Sequence, residues 1–366
     1  MSDKRIRVGF IGLNPDSHWA STAHLPALRS LADIFEVVGV ANSTPESAQQ
    51  TAKALHLRHA FATPRELVSS DDVDLVVVTV KVPYHYELVS AALDAGKHVH
   101  CEWPLGNGLE EARKLAEQAR AKGVVATVGT QMRVAPEVIH LRGLIAEGYV
   151  GEVLSTTVVA DAGGWGPETV ADLAYLNDKS TGATMLTIPF GHTMAGLGEV
   201  LGEFASISGR LVKRRDVVHV TDTGQTLPTT TEDQIMAHGV LRSGAAFSAH
   251  YRGGLSRGTH FLWEINGTEG DIQVTAGFGH GQMAQLSLFG ARGEETELRP
   301  LTPPAEMYQG WPDSVIPRNV AGIYARVAKD IRTGTREAPS FQDAVKLHEL
   351  LDAIERSSRD MKTIQL

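Results

Sequence analysis

The chain of 366 residues holds one cysteine, Cys101. A single thiol excludes an internal disulfide framework and suits a reducing, cytoplasmic setting. No apolar run reaches the roughly 18 residues that a membrane-spanning helix needs. The opening Met1-Ser2-Asp3-Lys4-Arg5 leads straight into a strand-like run, so no secretory leader is expected. Positive charge is scarce: 34 Lys and Arg face 43 Asp and Glu, a formal net charge of −9. That balance argues against direct nucleic-acid binding and against a membrane-surface role, both of which need a basic face. The 15 histidines form no H-E-x-x-H pair and cysteines do not cluster, so no metal is expected. A G-x-S-x-G elbow, internal repeats and low-complexity tracts are missing as well.

What remains is an ordinary globular composition, 42% apolar and 21% charged. At roughly 100–200 residues per domain, the length predicts two domains. Up to about residue 130 the pattern alternates strands and helices. Strands are expected at Ile6–Ile11, Phe35–Val40, Val73–Val80, Lys97–Cys101 and Val124–Gly129. Helices are expected at Trp19–Leu31, from Pro45, at His85–Ala95, and at Leu109–Lys122 with Asn107 as N-cap. The β-branched run Val73–Val80 reads as a strand buried on both faces. The alternation implies a doubly wound parallel sheet for residues 1–130. The 131–366 half instead offers consecutive strands: Val153–Val159, Ala205–Leu211, Asp233–Leu241, Ala246–Tyr251, Thr259–Asn266 and Asp271–Thr275. Short turns between them predict an α+β domain with a mostly antiparallel sheet. The stretch from Ala291 to Ser314 reads as a mobile loop, and Phe341–Met361 as a terminal helix packed back on the body.

Gly9-Phe10-Ile11-Gly12-Leu13-Asn14 follows the first strand and precedes a helix. Glycine there lets the backbone turn tightly toward a pyrophosphate, with helix N–H donors close by. Asn14 stands where G-x-G-x-x-G has a glycine, and the turn runs on to Trp19. A plain strand–helix turn is the bland alternative. The second strand ends in Asn42-Ser43-Thr44 rather than an acid, which permits NADP and leaves NAD open.

These residues, with further segments along almost the whole chain, resemble the glucose–fructose oxidoreductase/inositol dehydrogenase (Gfo/Idh/MocA) family. The segments are Glu102-Trp103-Pro104, Gln131-Met132-Arg133, Leu144–Gly151, Gly191-His192 and Ile265–Gly270. Gly12-Leu13-Asn14 with Trp19, His85-Tyr86-Glu87, Gly163-Gly164-Trp165 and Phe190–Thr193 look closer to the fungal galactose-regulon repressor branch. That branch is regulatory in fungi, and its bacterial relatives are labelled oxidoreductases. The resemblance implies a nicotinamide dinucleotide held by Gly9, Gly12, Leu13, Asn14, Trp19, Asn42, Ser43, Val80, His85, Glu102, Trp103 and Gln131.

The family places a lysine where Trp103 stands and an aspartate where Ile188 stands, which leaves His192 as acid–base group. A buried packing histidine is the bland alternative. Lys81 ends the strand beside the one carrying Trp103, and is the candidate replacement lysine, facing His192 across the nicotinamide; snorkelling or pairing with Glu87 or Glu102 is its alternative. Arg133, Trp165, Tyr175 and Asp178, with Tyr84 and His250, are candidates for a sugar pocket. The expected activity is hydride transfer between NAD or NADP and a sugar, polyol or related cyclic alcohol. A non-catalytic dinucleotide-binding regulator, and a lyase or hydrolase using NAD for transient oxidation, stay open. A homo-dimer or homo-tetramer through the second sheet is expected, because helices cannot cover both its faces.

Overall fold

The computed structural model describes residues 4–16 and 19–366. Met1–Asp3, and Ser17 and His18 of the expected phosphate turn, lie outside the described residues. The chain divides into two units, residues 1–131 with 310–346, and residues 132–309 with 347–366.

The first unit is built on six parallel strands: β1 (Ile6–Ile11), β2 (Phe35–Ala41), β3 (His59–Ala60), β4 (Leu75–Val78), β5 (His98–Glu102) and β6 (Ala126–Gly129). Their order, β3-β2-β1-β4-β5-β6, reverses between β1 and β4, which creates the switch point where doubly wound sheets bind ligands. The helices are α1 (Leu25–Ser30), α2 (Pro45–Leu55), α3 (Pro64–Ser69), α4 (His85–Asp94) and α5 (Leu109–Lys122). A π-turn, Ala20–His24, leads into α1. Every β4 residue is fully buried, as a strand between covered faces requires. It is shorter than the expected Val73–Val80 because the chain turns beyond Val78, where the Val80 carbonyl faces His85. Thr44 and Thr63 cap α2 and α3 by accepting from the N–H three residues on, with proline at the first helical position. Helix α5 is capped by Gly108 at φ +100°, not by Asn107, whose side chain stands one residue too early.

In the second unit, α6 (Pro136–Ala146) precedes β7 (Val153–Ala162) and β8 (Glu168–Thr169). A second π-turn, Leu186–Phe190, runs into α7 (Gly191–Leu201). Then follow β9 (Phe204–Val212), β10 (Val217–Val220), β11 (Gln225–Pro228), β12 (Gln234–Leu241), β13 (Ala246–Gly253), β14 (Phe261–Gly267), β15 (Gly270–Ala276), β16 (Ser287–Arg292) and β17 (Arg299–Pro300). The last falls inside the stretch read as a loop. Next come α8 (Val315–Thr333), α9 (Phe341–Asp360) and β18 (Ile364–Gln365). The large sheet runs β17-β16-β15-β14-β7-β13-β12-β9-β18, antiparallel except for the pair β7–β13. One face is apolar and buried, with Trp263, Tyr251, Phe247, Ile235 and Val274. The other carries Thr157, Ser248, His238, Glu264 and Gln273 at intermediate to full exposure. Within this unit α9 holds the edge of the sheet: Gly209 and Leu211 N–H donate to Ser357 and Ser358 Oγ, both at 2.9 Å.

The 19-residue α8 clusters with the first unit, although the sequence reading placed everything after 130 in the second domain and saw no helix there. Val320, Ile323, Tyr324, Val327 and Ala328 form its buried stripe at helical spacing. Beyond it, the Pro339 carbonyl accepts from Val128 N–H at 2.8 Å, which ties this returning segment to β6.

Candidate functional site

The carboxyl edge of the first sheet opens on Gly12. Its φ is +95°, and a Cβ there would come within 2.5 Å of Val80 Cγ1, so only glycine lets β1 turn this close to β4. Thr79 Oγ1 donates to the Gly12 carbonyl at 2.8 Å. Gly9 belongs to the interior of β1, and a Cβ there would press on Leu67 and Val73. It permits close helix–sheet packing and lies before the turn, where a cofactor contact was expected. Asn42 also differs from expectation. Its Oδ1 accepts from Leu13 N–H at 3.0 Å and its Nδ2 donates to the Leu13 carbonyl at 2.8 Å, clamping the buried Leu13 rather than standing open for a ribose. Asn14 closes its own turn by accepting from Asp16 N–H, and Ser43 is exposed at the start of α2. Trp19 offers the free group: its indole Nε1–H is buried and unpartnered among the described residues. A tight glycine turn, followed seven residues on by an unsatisfied donor, fits a bound dinucleotide phosphate.

At the ends of β4 and β5 the side chains are mostly engaged. His85 bridges the two loops, with Nδ1 2.7 Å from the Pro104 carbonyl and Nε2 2.9 Å from the Val80 carbonyl. Burial pushes its pKa down. It is a clamp that shapes the edge. Trp103 is buried at 4% exposure and its peptide to Pro104 is cis. Lys81 sits at this same edge and is exposed. Glu102 points inward instead of toward the edge. Gln131 Nε2 donates to both its oxygens at 3.1 and 3.2 Å, and His24 and His100 stand beside it. Burial alone would raise the Glu102 pKa; the adjacent His100 and His24 more than offset this and hold the carboxyl well below the usual range. His24 and His100 went unnoticed in the sequence, although a histidine inside the apolar periodicity of residues 19–31 is a readable signal.

In the second unit His192 lies in the first turn of α7, 2% exposed. The ring of His280 packs against it, centroids 5.3 Å apart. Burial, then the neighbouring His192, hold the His280 pKa well below the ordinary imidazole range. Thr193 and Tyr251 share a 2.5 Å hydrogen bond beside them. Ile188 is on the preceding π-turn. Arg133 is held by Glu199 through Nε and Nη2 at 3.0 and 2.8 Å, an internal ion pair rather than an open sugar contact. Trp165 is buried, Tyr175 half-buried, and Asp178 caps a short turn by accepting from Ser180 N–H at 2.9 Å.

Residues 6–130 match the family described as oxidoreductase family, NAD-binding Rossmann fold, and residues 136–276 match Gal80p, C-terminal domain. The first match lies within the first unit and the second within the second unit. Residues 6–130 thus match an NAD-binding Rossmann fold, the cofactor class expected from the sequence. It is 26% identical to the galactose/lactose metabolism regulatory protein GAL80 of Saccharomyces cerevisiae, over 99% of this chain and 94% of that protein. It is 25% identical to levoglucosan dehydrogenase of Pseudarthrobacter phenanthrenivorans, over 97% and 96%. The crystal structure of Gal80p from Kluyveromyces lactis superposes with a TM-score of 0.87 and 26% identity, covering 99% of this chain and 92% of that one. Among the described residues no helix is long and apolar enough to cross a membrane.

Proposed function

We propose that this protein is an NAD- or NADP-dependent oxidoreductase acting on a sugar, polyol or related cyclic alcohol. The observation that carries the proposal is the buried pair His192–His280. Oxidising a hydroxyl releases a proton with the hydride, and the buried His192 imidazole, packed against His280, is the group proposed to receive it. His192 is the proposed acid–base group. Lys81, at the edge where the fold binds its dinucleotide, is a secondary candidate to position substrate. Bound NAD or NADP would supply the hydride acceptor, with Gly12 and Trp19 at its phosphates and Ser43 near its adenosine end. The mixed polar face of the large sheet is the proposed surface for a homo-dimer or homo-tetramer.

A second reading is favoured by a specific observation. Trp103 and Ile188 replace two polar groups of the family's chemistry, and GAL80, similar along the whole chain, is named as a regulatory protein. In that reading the dinucleotide is bound but not turned over. A panel of sugars and polyols with NAD and NADP, followed at the nicotinamide absorbance band, separates the two. Turnover that His192→Ala abolishes, with dinucleotide affinity unchanged, supports the enzyme. Tight dinucleotide binding without turnover across the panel favours the regulator.

A further inference from the structure

The most concentrated polar group in the first unit is not at its rim but under the sheet. His24, from the turn before α1, and His100, from the middle of β5, are both fully buried, and both aim Nε2 at one oxygen of Glu102. The three donor atoms lie within 4.8 Å of one another. We propose that His24, His100 and Glu102 form a binding site for a zinc-class divalent cation.

The geometry supports this. The Nε2 atoms stand 3.0 and 3.6 Å from Glu102 Oε1, the spacing of neighbouring ligands around a four-coordinate ion whose metal–ligand distances are about 2.0–2.2 Å. Both rings bring Nε2 to the same carboxylate oxygen, so the three donor atoms converge on one buried point. The other nitrogen of each ring is fixed from behind by a hydroxyl, His24 Nδ1 by Tyr324 at 2.7 Å and His100 Nδ1 by Thr127 at 3.0 Å. Such outer partners orient ligating histidines and set their tautomer. Two imidazoles and a carboxylate suit a borderline ion such as zinc better than magnesium or calcium, which prefer all-oxygen shells. Glu102 retains 13% side-chain exposure, which gives the site an entrance. Gln131 adds a buried Oε1 without a partner beside the carboxylate, a fourth donor once the ion displaces its amide contact. The sequence hides this set because its members come from positions 24, 100 and 102 and form no recognisable spacing motif.

The test uses the full chain without an affinity tag, stripped with a chelator and desalted. Zinc or cobalt is then added and excess removed. About one equivalent retained, a raised melting temperature, and cobalt absorption bands of a four-coordinate site are expected. His100→Leu and Glu102→Gln should each weaken affinity by about a hundredfold or more, and Tyr324→Phe by about tenfold, with the circular dichroism spectrum unchanged. Retention of less than about a tenth of an equivalent by the wild type overturns the proposal. So does undiminished uptake by the His100 and Glu102 variants, which would place the metal on surface histidines. Should His100→Leu not fold, the wild-type stoichiometry and Tyr324→Phe decide.

Discussion

At residue scale, one added methyl group is expected to be costly at Gly12. The Ala side chain would meet Val80 Cγ1 at 2.5 Å on a backbone already at φ +95°. Strain of this kind is worth about 1–3 kcal/mol. Gly12→Ala should therefore lower the urea midpoint of the first unit and weaken dinucleotide binding about tenfold, measured by calorimetry on folded protein. His348 gives a pH prediction. Burial on α9 lowers its pKa to about 4, against about 6.5 when unfolded. The unfolded chain thus binds the proton first as pH falls. Stability from keeping this ring neutral is complete above pH 6.5 and drains away toward pH 4, by roughly 3 kcal/mol in all. His348→Leu should flatten the dependence of the urea midpoint between pH 7 and 5; an unchanged slope would assign it to other groups. The candidate residues show what the sequence carried at this scale. Gly12 was legible because a strand–glycine–helix order dictates a turn. The clamps made by Asn42 and His85 were not, because a side chain's partners 29 and 19 residues away leave no local pattern.

Elements were more legible than single contacts. Apart from β16, the longer strands of the two larger sheets emerged from β-branched runs and turn residues, which are local signals. Two-residue strands such as β3 and β8 did not, since their pairing depends on neighbours that sequence periodicity does not report. Helix α8 is the instructive omission. Its buried positions 320, 323, 324, 327 and 328 obey helical spacing, but it follows a Pro- and Glu-rich stretch that masked its start. Its apolar stripe predicts a substantial packing role. Ile323 is fully buried, and Ile323→Ala should cost about 2–5 kcal/mol in the unfolding transition of the first unit. A loss below about 1 kcal/mol would mean that α8 adds little to that unit.

For the whole molecule, the fold class followed from the change from alternating to consecutive strands. Association rests on the sheet. In a monomer the face bearing Thr157, Ser248, Glu264 and Gln273 would meet water across many strands. Light scattering at micromolar concentration is expected to give at least twice the 39.4 kDa of one chain. Replacing Val240 or Met236, exposed apolar positions on β12, with Lys should shift that mass toward the monomer. A monomeric wild type would remove the association proposal.

The return of residues 310–346 to the first unit bears on how the protein is made. Its sheet is complete once residue 129 has left the ribosome, yet Tyr324, which packs on Phe35 and His24, is still about two hundred codons away. At roughly 5–20 residues per second, Phe35 and the histidines wait on the order of ten to forty seconds for that cover. During synthesis the nascent Rossmann sheet is thus an unfinished body with an apolar flank, a natural client for a holdase. A gene cut at codon 131 would freeze it in that state.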